Sequence, residues 1–440
     1  MAELTAEQII SDAKRFTLFD WQAQSKASPV AVDRGEGVYL YGVDGRRWID
    51  FSSQLMCVNI GHGDKRVAEA IARQAERLPY LSPLHAFEGR ARLGRRLADL
   101  WPGDMEKTFF TLAGADANEN AVKIAKMVTG RPKVLARYRS YHGSTYATMA
   151  LTGDPRRWPN ELPPMPGIVH VLDPYHGPTR EIDDAETALT SLEEIIELEG
   201  PSTIAAFIVE PVTGTNGVLI PPDGYLEGIR ELCTRHGILL IADEVMSGWG
   251  RTGEWFAVDH WNVVPDLLST AKGLTSSYAP LGAVAMRPAI AHHFDQNVFW
   301  GGLTYNTHPL GVAAALATLQ VMEEDDLVGN ARRLDRVMRA HHAALAERHP
   351  SVGRTRNIGL FGILELVKDR ETMEPLSPFN TMNEPMQQLN RFLLDHGLMT
   401  FIRWWNVMTN PPLSITEEQL AEGFEILDEA LEITDRAMGS

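Results

Sequence analysis

From about residue 61 the chain settles into a rhythm that few folds can satisfy. Short, largely apolar runs recur, most of them separated from the next by a segment long enough for a helix. Ile204–Val209 reads IAAFIV and Ile238–Ala242 reads ILLIA; Lys107–Leu112, Lys133–Arg137, Ile168–Leu172, Leu267–Thr270 and Gly282–Met286 are further strand candidates. Between them lie predicted helices: Lys65–Leu78 capped by Asp64, Asp116–Thr129 stopped by Gly130, Asp184–Glu199 before Gly200-Pro201, and Tyr225–His236 ended by Gly237. A strand that is apolar on both faces must be covered on both faces. With helices supplying the cover, the pattern predicts an α/β fold around a mostly parallel sheet. Ligands of such sheets collect at the carboxyl ends of the strands, so the residues that follow each apolar run carry the functional information.

The flanks break this rhythm. A lone N-terminal helix is followed by a hairpin, Gly37–Tyr41 and Arg46–Phe51, around Val43-Asp-Gly. From residue 326 the pattern gives a long helix Leu327–Arg348, strands Val352–Thr355 and Leu360–Val367, a helix Met382–His396, strands around Leu398–Arg403 and Val407–Thr409, and a last helix Thr416–Met438. The expected division is a large domain over 61–325 and a smaller α+β domain over 326–440, which residues 1–60 join.

Charge and cysteine usage exclude several function classes. Lys and Arg number 41 against 58 Asp and Glu, a net charge of −17, which argues against nucleic acid and against an anionic membrane surface. Cys57 and Cys233 stand far apart without a CxxC pair, so neither a disulfide framework nor a zinc site is expected. The opening MAELTAEQIISDAKRF has acidic residues and no apolar run, and no stretch of about 18 apolar residues occurs anywhere, so a cytoplasmic protein is expected.

Four strand ends offer a coherent set of groups. Asp243-Glu244-Val245 follows Ile238–Ala242, and Ala271-Lys272-Gly273 follows Leu267–Thr270. Gly114-Ala115-Asp116 stands where a helix starts after Lys107–Leu112, and Tyr138-Arg-Ser-Tyr141-His142-Gly143 follows Lys133–Arg137. An acid, a lysine, an anion-binding helix terminus and an aromatic ring are what pyridoxal 5′-phosphate (PLP) needs. Its aldehyde takes a lysine amine, its pyridine nitrogen a carboxylate, its phosphate a helix N-terminus, and its flat ring an aromatic face. Each residue alone has a plainer reading: Asp243 as a helix cap, Lys272 as a surface lysine, Gly114-Ala115 as a tight turn, Tyr141 and His142 as ordinary half-buried side chains. Their arrangement at successive strand ends carries the inference. The pairs His292-His293 and His341-His342 have no carboxylates at ligand spacing, and no metal is expected.

With these motifs in order, the sequence resembles the class III, or ω-, aminotransferases of PLP fold type I across essentially its whole length. Asp243 and Lys272 stand 29 positions apart, as in that family. Tyr141-His142-Gly143, Gly248-Trp-Gly-Arg-Thr-Gly253 and Gly302-Leu-Thr304-Tyr305-Asn-Thr-His308-Pro309 match as well. The resemblance implies Lys272 as the Schiff-base lysine and proton shuttle, with Asp243 on the pyridine nitrogen. It also implies Val245 against the ring face opposite Tyr141, His142 beside the cofactor, and Gly114 with Ala115 on the phosphate. Thr304 would reach that phosphate from a neighbouring subunit, making a homodimer or a dimer of dimers. The family's usual Ser-Gly-Ser is here Ala113-Gly114-Ala115, so backbone N–H groups must carry more of the phosphate binding.

For substrates, the family places a mobile carboxylate-binding arginine near Arg403, with Glu210 as its expected counter-ion. An arginine stacked on a neighbouring tryptophan is the plainer reading of Arg403. Met56 sits where amine-using relatives carry a tryptophan. Gly114–Glu119, Tyr138–Gly143 and Leu151-Thr-Gly-Asp-Pro-Arg-Arg-Trp158 are most similar to taurine–pyruvate and related ω-amino-acid aminotransferases. That likeness implies a taurine, β-alanine or 4-aminobutyrate type donor and a keto-acid acceptor, pyruvate, in a ping-pong cycle. A PLP-dependent decarboxylase, an aminomutase of the same fold, or a non-catalytic PLP-binding protein are the alternatives.

Overall fold

The apolar runs of the middle section assemble into one seven-stranded sheet in a computed structural model that describes residues 4–160, 165–180 and 182–438. Its spatial order is Lys107–Thr111, Gly282–Met286, Leu267–Thr270, Leu239–Asp243, Ile204–Val209, Lys133–Arg137, Ile168–Val171. All six residues of Ile204–Val209 are buried, as a strand covered on both faces requires. The pairings are parallel except those of Gly282–Met286, which runs antiparallel to both neighbours. The exception has a simple cause. Only residues 271–281 join it to Leu267–Thr270, too few for a helical crossover back to a parallel position.

Helix ends follow the punctuation in the sequence. Asp64 caps Lys65–Arg77 by accepting from the Arg66 N–H, and Gly130 and Gly237 close their helices in the left-handed region at φ +68° and +62°. The helix expected from Asp116 starts two residues earlier, at Gly114. Glu88–Ala98, Pro288–Gln296 and Pro309–Glu324 are helices that no pattern above singled out. Pro309–Glu324 is apolar nearly all round, so it has no polar stripe to announce a helical period.

The two ends of the chain share a sheet. Val32–Glu36, Tyr39–Gly42 and Arg47–Asp50 are extended by Leu398–Met399, parallel to the last of them with Leu398 opposite Ile49. The single strand expected over Leu398–Arg403 is therefore two. Its second part, Ile402–Arg403, turns into the sheet of Val352–Ile358, Phe361–Asp369 and Asn406–Thr409. Phe51 and Phe424 meet edge to face at 5.3 Å within a core that also includes Leu268, Ala283 and Val312 of the central layers. Arg251, fully buried, donates to Leu360 O, Pro411 O, Ser53 Oγ and Asn59 Oδ1 and so ties three distant segments together. Among the described residues no helix is long and apolar enough to cross a membrane, and no group of His, Cys, Asp and Glu could hold a metal ion.

Candidate active site

The carboxyl ends of the central strands open onto a cavity of about 420 Å³, the place that parallel topology leaves for a ligand. Asp243, the last residue of its strand, lines it and is 3% exposed. Its Oδ2 accepts from Asn118 Nδ2 at 2.7 Å and lies 2.8 Å from His142 Nδ1, while Oδ1 accepts from the Val245 N–H at 3.0 Å. Asn118 also donates to His142 O, so acid and imidazole are held as one unit. In the sequence Asn118 is only one residue of Gly114–Glu119, with no role of its own. The available signal was its position four residues after Gly114, on the same helix face as the expected phosphate site.

Lys272 enters the cavity from the short connection after Leu267–Thr270, with its backbone at φ +42°. It is half-buried by area, and the protein packed around it desolvates the amine, holding its pKa below the usual lysine range. Cys57, Asp243 and Glu210 act in the opposite sense. Glu210 is buried, and desolvation raises its carboxyl above the usual range, with Asp243 adding to the rise and His142 opposing it.

Close approach shapes the far wall. A Cβ on Gly114 would lie 2.6 Å from Val245 Cγ1, so the helix start and the valine can touch only with glycine there. Gly143 sits at φ +135°, and a side chain on it would strike Ala115 Cβ at 2.6 Å. Ala113, before the helix, makes no side-chain capping bond. The first-turn N–H groups that the helix cannot satisfy internally thus lie at a wall lined by Ala113, Gly114 and Ala115. Tyr141 and Val245 both line the cavity, and Met56 completes it from a loop whose Ser53, Gln54 and Met56 all have positive φ. The Asp50 carboxylate, accepting from the N–H groups of Ser52 and Gln54, holds that strained loop in place.

Three expectations need correction or qualification. Glu210 is not the partner of Arg403. Its oxygens accept from the backbone N–H groups of Tyr141 at 3.0 Å and Gly214 at 2.8 Å, which leaves it fixing the tyrosine loop. Arg403 instead donates to Asp154 Oδ2 at 3.0 Å and stacks 4.4 Å from the Trp404 ring, outside the cavity lining, where burial lowers its pKa to about 10. Thr304 is exposed and does not line the cavity of its own chain; its carbonyl accepts from Tyr80 Oη.

Among the described residues the arginine that lines the cavity is Arg156, part of the stretch Leu151–Trp158. It forms a fork with Asp154, donates to Thr215 Oγ1 at 2.8 Å, and lies 3.6 Å from the Tyr141 ring centre. Asp154-Pro-Arg156 builds this locally: Asp154 Oδ1 accepts from the Arg156 N–H, turning the chain back on itself.

These groups fit PLP. Among the described residues the buried Nε2 of His142 and Oδ1 of Asn118 have no partner, the helix start has no side-chain cap, and a desolvated lysine faces a buried carboxylate across the same cavity. The comparisons agree. The family model Aminotransferase class-III matches residues 21–431. A taurine:2-oxoglutarate aminotransferase from Bifidobacterium kashiwanohense, whose crystal structure holds PLP and glutamate, is 40% identical, with a TM-score of 0.96 and all of both chains covered. An uncharacterized aminotransferase of Sinorhizobium fredii is 36% identical over 94% of this chain and 92% of its own. The putrescine–pyruvate aminotransferase of Pseudomonas aeruginosa is 32% identical over 95% and 94%. The cavity's chemistry and these relatives lead to one statement: the chain belongs to the class-III aminotransferases, PLP-dependent enzymes of fold type I.

Proposed function

We propose that the enzyme transfers the amino group of a small ω-amino acid with a terminal anion, of the taurine, β-alanine or 4-aminobutyrate type, to a keto acid. The observation that carries this reading is Arg156: a guanidinium stacked on Tyr141 at the cavity wall, the group of choice for a carboxylate or sulfonate. The named activity of the Bifidobacterium kashiwanohense relative supports it.

PLP, when bound, supplies a carbonyl for the amine and a ring that accepts electron density as the substrate C–H bond breaks. In this reading Gly114 and Ala115 would hold its phosphate through backbone N–H groups, and Tyr141 and Val245 would supply the contacts for its ring. Asp243 keeps the ring nitrogen protonated, and the hydrogen bonds from Asn118 and His142 keep that carboxylate aimed. Lys272 would hold the cofactor through its amine and, as a neutral amine, would move the proton at the substrate carbon. The lowered pKa gives it more neutral amine near pH 7 than an ordinary lysine has. Arg156 grips the anion of the donor and then the carboxylate of the acceptor, so both half-reactions share one orientation.

Pyruvate is the acceptor in this reading, because its single carboxylate matches Arg156, the one arginine lining the cavity among the described residues. A second reading, 2-oxoglutarate, is favoured by Arg403, which lies just beyond Arg156 on the shared Asp154 and could receive a second carboxylate. The active unit is a cytoplasmic homodimer, with residues 61–325 as the PLP-binding domain, and Thr304, exposed on its own chain, serves the partner's phosphate. The experiment is a half-reaction screen. Each amine is mixed singly with the PLP form, each keto acid with the pyridoxamine form, and conversion is followed spectroscopically. Taurine or β-alanine should convert the enzyme readily; conversion only by uncharged amines removes the anion-reading role.

A further inference from the structure

Two loops of left-handed backbone meet at the Lys272 side of the cavity. In the first, Ser53, Gln54 and Met56 have φ of +45°, +59° and +52°; in the second, Lys272, Ser276 and Ser277 have +42°, +47° and +61°. Side chains other than glycine stay in that region only where the surroundings hold them there. Ser276 Oγ accepts from the Ile60 N–H at 3.1 Å, and a Cβ on Gly273 would strike Asn59 Nδ2 at 2.5 Å, so the two loops fit as one unit. Leu55, Met56 and Cys57 of the first loop line the cavity together with Lys272.

Two buried charged side chains outside the chemistry bracket the first loop. Arg251 donates to Ser53 Oγ at 2.9 Å and to Asn59 Oδ1 at 3.3 Å. Asp50, with no exposed surface, accepts from the Ser52 N–H and Oγ and from the Gln54 N–H and Nε2, and lies 2.9 Å from His62 Nε2. Each of these groups can donate, and an ionised carboxylate accepts on both oxygens. An amide in its place would turn an NH2 group toward donors and release the loop. A donor amine must bring its reacting carbon to the Lys272 amine, so a branch on that carbon meets the wall that Met56 and Cys57 build. We propose that Asp50 is a positioning residue for donor choice: it fixes Met56 and Cys57 so that the cavity favours an amine carbon without a branch. The inference rests on the terminal-amine donors proposed above.

Cys57 and Cys233 are the only cysteines, and Cys233 is buried. Alkylation of the holoenzyme with iodoacetamide, mapped by peptide mass, therefore reports the loop at Cys57 and the fold at Cys233. Asp50→Asn should speed Cys57 labelling by about tenfold or more and leave Cys233 unlabelled. It should also lower the kcat/KM ratio of β-alanine over 3-aminobutyrate, and of propylamine over 2-aminobutane, by about tenfold, the scale on which a pocket reads one methyl group. Gln54→Leu keeps the backbone N–H and removes only the Nε2 donor. It should move both readouts the same way by about threefold, and it carries the test if Asp50→Asn exposes Cys233. Unchanged Cys57 labelling, or equal losses for branched and unbranched donors as a merely structural aspartate would give, overturns the inference. The two readings fail separately. A wild-type enzyme that does not convert β-alanine removes the donor class proposed above, and the uncharged pair with the Cys57 label still decides the role of Asp50.

Discussion

Replacing Arg156 with leucine deletes one guanidinium while keeping an apolar stem against Tyr141. The change does not strand a buried charge, because Asp154 retains Arg403 at 3.0 Å and Asn216 Nδ2 at 3.3 Å. The cost to folding should therefore stay near the ~1 kcal/mol of an ordinary substitution. The functional cost should be larger. The Arg156 side chain is only 14% exposed, so an anion meeting it is largely desolvated. Truncating one partner of such a pair costs about 2–5 kcal/mol, which corresponds to roughly 30-fold to several-thousand-fold in kcat/KM. The loss should fall on taurine, β-alanine and pyruvate alike, whereas an uncharged primary amine of similar size should lose less than about threefold. The assay is single-turnover spectroscopy of each half-reaction, with Arg403→Ala in parallel. Equal losses for charged and uncharged donors would mean that Arg156 props up Tyr141 and does not read charge. An unchanged pyruvate half-reaction would place the acceptor's carboxylate elsewhere.

Three further outcomes follow from the same geometry. Asp243→Asn should bind cofactor with an unchanged circular-dichroism spectrum yet lose roughly 100-fold or more in turnover, the scale of one preorganised electrostatic contact; near-normal turnover would mean another group holds the ring nitrogen. Glu244, fully buried, has its carboxyl raised by desolvation to about 7, so the neutral form favours folding below the unfolded value and that advantage disappears as pH rises through about 7. Glu244→Gln should match the wild type near pH 4.5 and exceed it in chemical denaturation near pH 8 by up to about 3 kcal/mol; parallel pH curves would refute this. Thr304→Val should weaken PLP retention, measured by dialysis, and wild-type retention should itself fall on dilution below the dimer dissociation constant. Retention independent of both would confine the phosphate site to one chain.

Much of the architecture was legible because burial on both faces writes itself into strands such as Ile204–Val209, and because Gly130 and Gly237 mark helix ends unambiguously. The split of Leu398–Arg403 was not legible. A continuous apolar run gives no sign that the chain leaves one sheet for another, since that depends on Ile49 waiting some 350 residues earlier. The order of Lys272, Asp243, Tyr141 and Gly114 along strand ends was readable because topology gathers strand ends. The arginine was not. The family likeness pointed to Arg403 and gave no reason to prefer Arg156; only the fold shows that both lean on Asp154 and that Arg156 faces the cavity. Asn118 was hidden for a related reason: its importance comes from Asp243, which approaches it from another strand.

The central claim is that Lys272 is the residue to which the cofactor is joined. Treating the resting holoenzyme with borohydride fixes PLP to its lysine, and proteolysis with peptide mapping then locates the label. The account predicts a single pyridoxyl group on the peptide containing Ala271-Lys272-Gly273, absent when Lys272→Ala is treated the same way. A pyridoxyl group on any other lysine of the wild-type chain would contradict it.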